Sequence, residues 1–306
     1  MFKNLKNSNN FIIQKLIYFY RSIKQNPHKI KNNISTKIPK QNVLALTPVF
    51  GDKSLYISLT SFPQRIPFVY YTILSLMNQT EKVNGIYLYL AEEQFPNKEN
   101  DLPKKLLHLT TVGLTIKWTS DTRSYKKLLP ILETNWNDVI ITCDDDVFYP
   151  RDWLKNLLIS YKAHPNEIHS SMITRLCKKN DCFDELSEEF IPDDSNRSSF
   201  FNKVLGAGGV LYPSDSLNKE VLNIEAAKKL APTSDDIWFW GMAVLNHTKI
   251  RLVENGLKNH IYVPHSQDGE ALTKINDTGN EERPFYIHLN SVINKYKLAD
   301  ILESED

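Results

Sequence analysis

Three consecutive carboxylates, Asp144, Asp145 and Asp146, follow directly on the apolar run Val139-Ile140-Ile141-Thr142-Cys143. Adjacent like charges raise each other's pKa, so such a cluster must be well solvated or neutralised by Lys, Arg or a divalent metal. Asp144 and Asp146 are one residue apart; where the extended backbone continues they point to the same side, within reach of one hard ion. An isolated Asp pair after a strand reads as turn chemistry. Three acids after so apolar a strand read instead as a site for a metal or another charged ligand.

A second group of reactive types is Ser234-Asp235-Asp236-Ile237-Trp238-Phe239-Trp240. Ser234 or an Asp caps the helix that the aromatic residues begin, where the helix dipole favours a carboxylate. Beyond capping, a partly desolvated carboxylate held beside aromatic rings has the features of a base serving a sugar hydroxyl, since pyranose faces stack on such rings. The stretch Gly206-Ala207-Gly208-Gly209 places three of the ten glycines in four positions. That density points to positive φ or a close backbone approach to a ligand, and equally to a plain turn into a strand. It matches neither the GxGxxG nor the GKS/T phosphate-loop pattern.

The elements that must position these groups alternate. Strands are expected over 55–59, 86–90, 114–118 and 139–142, with helical segments over 67–77, from Pro103 onward and over 125–132 between them. Such alternation implies right-handed βαβ crossovers and a mostly parallel sheet, whose ligand crevice lies beyond the carboxyl ends of the strands. The Asp triplet falls at such an end, as do Thr60-Ser61-Phe62-Pro63-Gln64-Arg65 after the first strand and Asp121 after the third. The second half is less regular: a helix over 153–161 entered through Asp152, a strand within 168–174 and a polar loop over 183–199.

At 306 residues the chain can bury a large core. With 37 basic against 36 acidic residues there is no global field to recommend a nucleic-acid polymer as partner. Three cysteines, Cys143, Cys177 and Cys182, form no even-numbered framework, which suggests a reducing, cytoplasmic setting. No run of 18 apolar residues suggests a spanning helix. The apolar and aromatic segment from Phe11 to Tyr20 is flanked by Lys3, Lys6, Lys24, Lys29 and Lys31. It either rests on an anionic membrane surface, giving peripheral contact at the inner face, or docks as a helix on the domain. Residues 26–41, rich in Lys, Asn and Pro, read as a linker to a main domain over 42–306, with a nucleotide-binding half at 54–150 and an acceptor half at 151–306.

Over 55–265, the order of elements, the stretch Thr60 to Arg65, Ser124-Tyr125-Lys126-Lys127-Leu128, Cys143-Asp144-Asp145-Asp146-Val147, the glycine run and Asp235-Asp236-Ile237-Trp238 together resemble a nucleotide-sugar glycosyltransferase of the GT-A type, near the family 2-like bacterial enzymes. The resemblance implies an α/β, Rossmann-like GT-A domain with an N-terminal helical extension. It also implies a Mn2+ or Mg2+ ion on Asp144 and Asp146, completed by His265, and a base supplied by Asp236 or Asp235. Thr60, Ser61, Arg65, Asp121, Lys126, Asp144, Asp145, Gly208 and Gly209 would face the donor, a UDP-sugar before others, and Trp238 the acceptor, a glycan or lipid-linked saccharide. Lys126 is the expected cation for the leaving phosphate, with Lys127 a solvated neighbour. Inversion at the sugar carbon is implied by resemblance alone. Two other readings are a DxD phosphatase, which wants its nucleophilic Asp on the first strand, and a carbohydrate-binding protein that kept the fold without turnover.

Overall fold

The computed structural model describes residues 33–180, 182–186, 197–257, 261–268 and 283–305. Four strands, β1 (Leu55–Thr60), β2 (Gly85–Ala91), β3 (Leu114–Thr119) and β4 (Val139–Cys143), pair in parallel in the order β3-β2-β1-β4. Their apolar runs form strands because both faces are covered. In β4, Val139, Ile141 and Cys143 join one apolar cluster and Ile140 the opposite one. That alternation within a wholly buried strand is what a parallel sheet between two helical layers requires. Each fully buried Val or Ile contributes about 1.5–3 kcal/mol.

The sheet continues through shorter strands, β5 (Ile168–Ser170), β8 (Ser198–Ser199), β10 (Val210–Tyr212) and β11 (Ile250–Leu252), giving the order β3-β2-β1-β4-β10-β5-β11-β8. Only β10 and β8 run against the rest, since β10 is antiparallel to both β4 and β5, and β11 is parallel to β5 but antiparallel to β8. The expected α/β class with a mostly parallel sheet is therefore what the chain forms. A second antiparallel sheet, β7-β6-β9, contains β6 (Ile173–Lys179), β7 (Cys182–Glu185) and β9 (Asn202–Val204).

Three expectations are corrected. The strand expected within 168–174 is two strands of different sheets. The loop expected from 183 begins inside β7, whose Phe183 is buried. The helix expected over 125–132 is a 3-10 turn, Arg123–Lys127, then a helix, Leu129–Asn135, because Pro130 tolerates only the first turn of a helix.

Residues 1–32, which include the expected N-terminal helix, lie outside the described residues. The described part of the expected linker is tied to the domain: the Asn33 carbonyl accepts from the Arg151 amide at 2.7 Å, and Asn78 Nδ2 donates to the Lys37 carbonyl at 2.8 Å. Among the described residues no helix is long and apolar enough to cross a membrane.

Candidate active site

The carboxyl ends of β1 and β4 bring the Asp triplet to the Ser61–Arg65 loop. Asp145 is buried, with Oδ2 accepting from Ser61 Oγ at 2.5 Å, Oδ1 facing Arg65 Nη1 at 3.2 Å and its carbonyl accepting from Thr72 Oγ1 at 3.0 Å. Arg65 also pairs with Asp146, which accepts in addition from Gln267 Nε2. Burial, with Asp146 beside it, pushes the Asp145 pKa up to about 7 against the pull of Arg65. Burial and the Asp144 charge raise Asp146 in the same direction. Asp146 lies beside Gln267 because the segment after Ile261 pairs antiparallel with Val147–Phe148: the Val263 amide donates to the Asp146 carbonyl at 2.8 Å and the Phe148 amide to the Ile261 carbonyl at 2.8 Å.

The third acid turns the other way. Asp144, its side chain 33% exposed, faces Lys127 Nζ at 3.0 Å, and the same ammonium lies 2.9 Å from Asp235 Oδ2 and 3.6 Å from Asp236 Oδ1. Burial alone would lower the Lys127 pKa, but Asp144, Asp235 and Asp236 outweigh it and hold the ammonium charged, well above its ordinary value. Asp236 Oδ2 accepts from the Gly206 amide at 2.8 Å, and burial raises its pKa despite Lys127. Gly206 permits this convergence: a Cβ there would lie 2.5 Å from Lys127 Nζ and 2.6 Å from Asp236 Oδ1. Gly209 has φ +86°, and a Cβ on it would meet Trp153 Cζ2 at 2.3 Å, so the indole packs against bare backbone and donates from Nε1 to the Gly208 carbonyl at 2.9 Å. Glycine at 206 and 209 thus admits charged and aromatic side chains of this same chain.

Other expected residues lie apart from this cluster. Lys126 is buried and points at Asp121, Nζ to Oδ1 2.5 Å, while Gln94 donates to the other Asp121 oxygen at 3.0 Å. The expected phosphate cation is therefore neutralised by Asp121, just ahead of its own turn, and the expected solvated Lys127 is the buried centre of the site. Thr60 donates to the Tyr89 carbonyl at 2.8 Å. Trp238, expected to stack on acceptor, is 0% exposed, with Nε1 donating to the Val221 carbonyl at 3.0 Å, so it is a core residue. His265 stands with its side chain 81% exposed against Asp268 at 3.0 Å, and Gln267, two residues on, is the side chain that reaches Asp146. Sequence reasoning missed Gln267 and the role of Lys127; only the charge argument, which demanded Lys or Arg near the triplet, pointed toward the latter.

Five carboxylates, Asp144, Asp145, Asp146, Asp235 and Asp236, share two cations, Arg65 and Lys127. Fully ionised, the cluster would carry three negative charges in excess, which accords with the raised pKa values of Asp145, Asp146 and Asp236. The excess charge and the oxygen donors are of the kind a hard divalent cation takes, but the expected convergence of Asp144 and Asp146 is not what the chain forms: Asp144 faces Lys127 while Asp146 faces Arg65 and Gln267. Among the described residues no group of three or more His, Cys, Asp or Glu is placed to hold a metal ion.

No protein-family model and no sequence of a curated protein matches the chain. Among solved structures it is similar to S. aureus TarS in complex with UDP-GlcNAc, at 12% identity and a TM-score of 0.45 over 72% of this chain and 60% of that one. It is also similar to the mannosyltransferase PcManGT from Pyrobaculum calidifontis in complex with GDP-Man and Mn2+, at 12% identity and a TM-score of 0.47 over 95% of this chain and 80% of that one. A CMP:2-keto-3-deoxy-manno-octonic acid synthetase complexed with CTP matches at 11% identity and a TM-score of 0.37, over 69% and 93%. The chain spans about three fifths of the TarS chain.

Proposed function

We propose that this chain is a metal-dependent GT-A glycosyltransferase that moves a sugar from a nucleoside-diphosphate donor, a UDP-sugar before others, to a glycan or lipid-linked acceptor in surface polysaccharide synthesis. The observation that carries the reading is the meeting, at the carboxyl ends of a parallel sheet, of an acid triplet and a helix-start Asp pair across one buried lysine. Asp144 and Asp146 would hold Mn2+ or Mg2+. Bound there, the cation would neutralise the charge that develops on the leaving diphosphate.

The chain's own groups do the rest. Arg65 and Ser61 fix Asp145 and, through Arg65, orient Asp146. Asp236, its side chain 26% exposed where that of Asp235 is buried, is the carboxylate an acceptor hydroxyl can reach. It takes the hydroxyl proton as the acceptor oxygen bonds to the sugar C1 and the bond from C1 to the phosphate oxygen breaks. Its raised pKa suits that task, since a base works best with a proton affinity near the operating pH.

The reading is tested by thermal shift with UDP- and GDP-sugars, with and without Mn2+, on wild type and Asp146→Asn. A ligand that binds the native state must raise the melting point. A Mn2+-dependent rise lost in Asp146→Asn supports the assignment, and undiminished donor turnover in that variant sinks it. Donor binding without any release of UDP or GDP in the presence of acceptor would favour the carbohydrate-binding reading.

A further inference from the structure

We infer that Lys127 is a positioning residue that couples donor loading to the acceptor base, by sharing one ammonium between Asp144 and the Asp235–Asp236 pair. The inference rests on the transferase reading and deepens it. Lys127 ends the turn Arg123–Lys127, which Tyr125 fastens to the segment ahead of the Asp235 helix, its hydroxyl donating to the Ala231 carbonyl at 2.6 Å. The turn packs on β1 and β2 as well, so Lys127 is fixed between two units, the segment that carries the base and β4, where the Asp144 amide donates to the Tyr149 hydroxyl at 3.0 Å. Nζ bridges these two units, at 3.0 Å from Asp144 and at 2.9 and 3.6 Å from Asp235 and Asp236.

A divalent cation held by Asp144 would compete with that ammonium for the same carboxylate. Once the cation is bound, the remaining partners of Nζ are Asp235 and Asp236. With Asp144 taken by the cation the ammonium would serve the base pair alone, whereas otherwise Nζ is divided among all three carboxylates.

Two variants test this. Lys127→Met keeps the length and removes the charge. It should lower kcat about a hundredfold with donor KM little changed. It should also tighten the binding of Mn2+ alone, titrated by electron paramagnetic resonance, about fivefold or more, because Asp144 has lost its competitor. A purely structural lysine would loosen Mn2+ along with everything else. Gly206→Ala crowds Nζ and Asp236 Oδ1 without deleting a charge, so kcat should fall while Mn2+ affinity does not rise. Unchanged kcat in both variants, or Mn2+ bound no more tightly by Lys127→Met than by wild type, overturns the coupling. Should Lys127→Met not fold, the same Mn2+ titration on Lys127→Gln decides, with the same two outcomes. If the wild type turns over no donor, the transferase reading falls, and the Mn2+ titration by itself still decides whether Lys127 and the cation compete for Asp144.

Discussion

Asp145 makes the stability of this protein depend on pH in a direction opposite to that of an ordinary ion-paired carboxylate. Its pKa is pushed up to about 7 by burial and by Asp146, whereas in the unfolded chain an Asp titrates near 3.9. Between those values the native protein holds a proton that the unfolded chain has released. The stabilisation is therefore complete below about pH 4 and is lost as the pH rises through 7. Three pH units at about 1.36 kcal/mol each give on the order of 4 kcal/mol over the window. Asp145→Asn keeps the shape and the acceptor for Ser61 but abolishes the titration, while Arg65 retains Asp146. Losing the Arg65 attraction to Asp145 takes back part of the gain. A net of about 2 kcal/mol near pH 8 corresponds to a rise of about 4 °C in Tm, with little change near pH 5. Thermal melts of both proteins in metal-free buffer across that range measure it. If the two Tm profiles run parallel, or the Asn variant melts lower at pH 8 by as much as at pH 5, Asp145 is ionised throughout and the charge-excess reasoning is wrong.

Substituting the base should separate the two helix-start acids. Asp236→Asn is expected to lower turnover by about a hundredfold or more with donor affinity nearly unchanged, and equal losses in Asp235→Asn with no loss in Asp236→Asn would move the base to Asp235. Trp238→Ala should cost about 3–5 kcal/mol in denaturant unfolding, with acceptor KM of the folded fraction unaltered; a raised KM at wild-type stability would return the ring to the acceptor. A chain beginning at Asn33 should stay folded and lose salt-sensitive binding to anionic vesicles, whereas one beginning at Gln41 should melt lower, because it gives up the Asn33, Ser35 and Lys37 hydrogen bonds to the domain. Vesicle binding that survives removal of residues 1–32 would end the membrane-surface reading of that segment.

The first four strands were legible because a strand buried on both faces must be apolar along its whole length, and Val139 to Cys143 has no alternative use. Among the strands of three residues or fewer, β5 falls within the strand expected over 168–174 and β10 follows the glycine run read as a turn into a strand, whereas β11 owes its existence to neighbours far away in sequence and carries no periodicity of its own. Lys126 and Lys127 are adjacent and identical in type, and their fates differ only through the phase of a turn that Arg123 enters with φ +56°. Local composition does not fix that phase.

Trp238 is different, because the chain did contain the signal. Successive residues of an α-helix are 100° apart, so Asp236 and Trp238 lie about 200° around the axis from one another and cannot both face one ligand. The residues on the Asp236 side one turn on are Phe239 and Trp240, and both are buried, Trp240 donating to the Phe200 carbonyl at 2.8 Å. No aromatic ring of this helix is therefore open to a ligand beside the acid. An acceptor held there must be met by side chains from other loops at the same sheet edge, where the Val263–Gln267 stretch is fastened to Asp146 by its backbone and by Gln267.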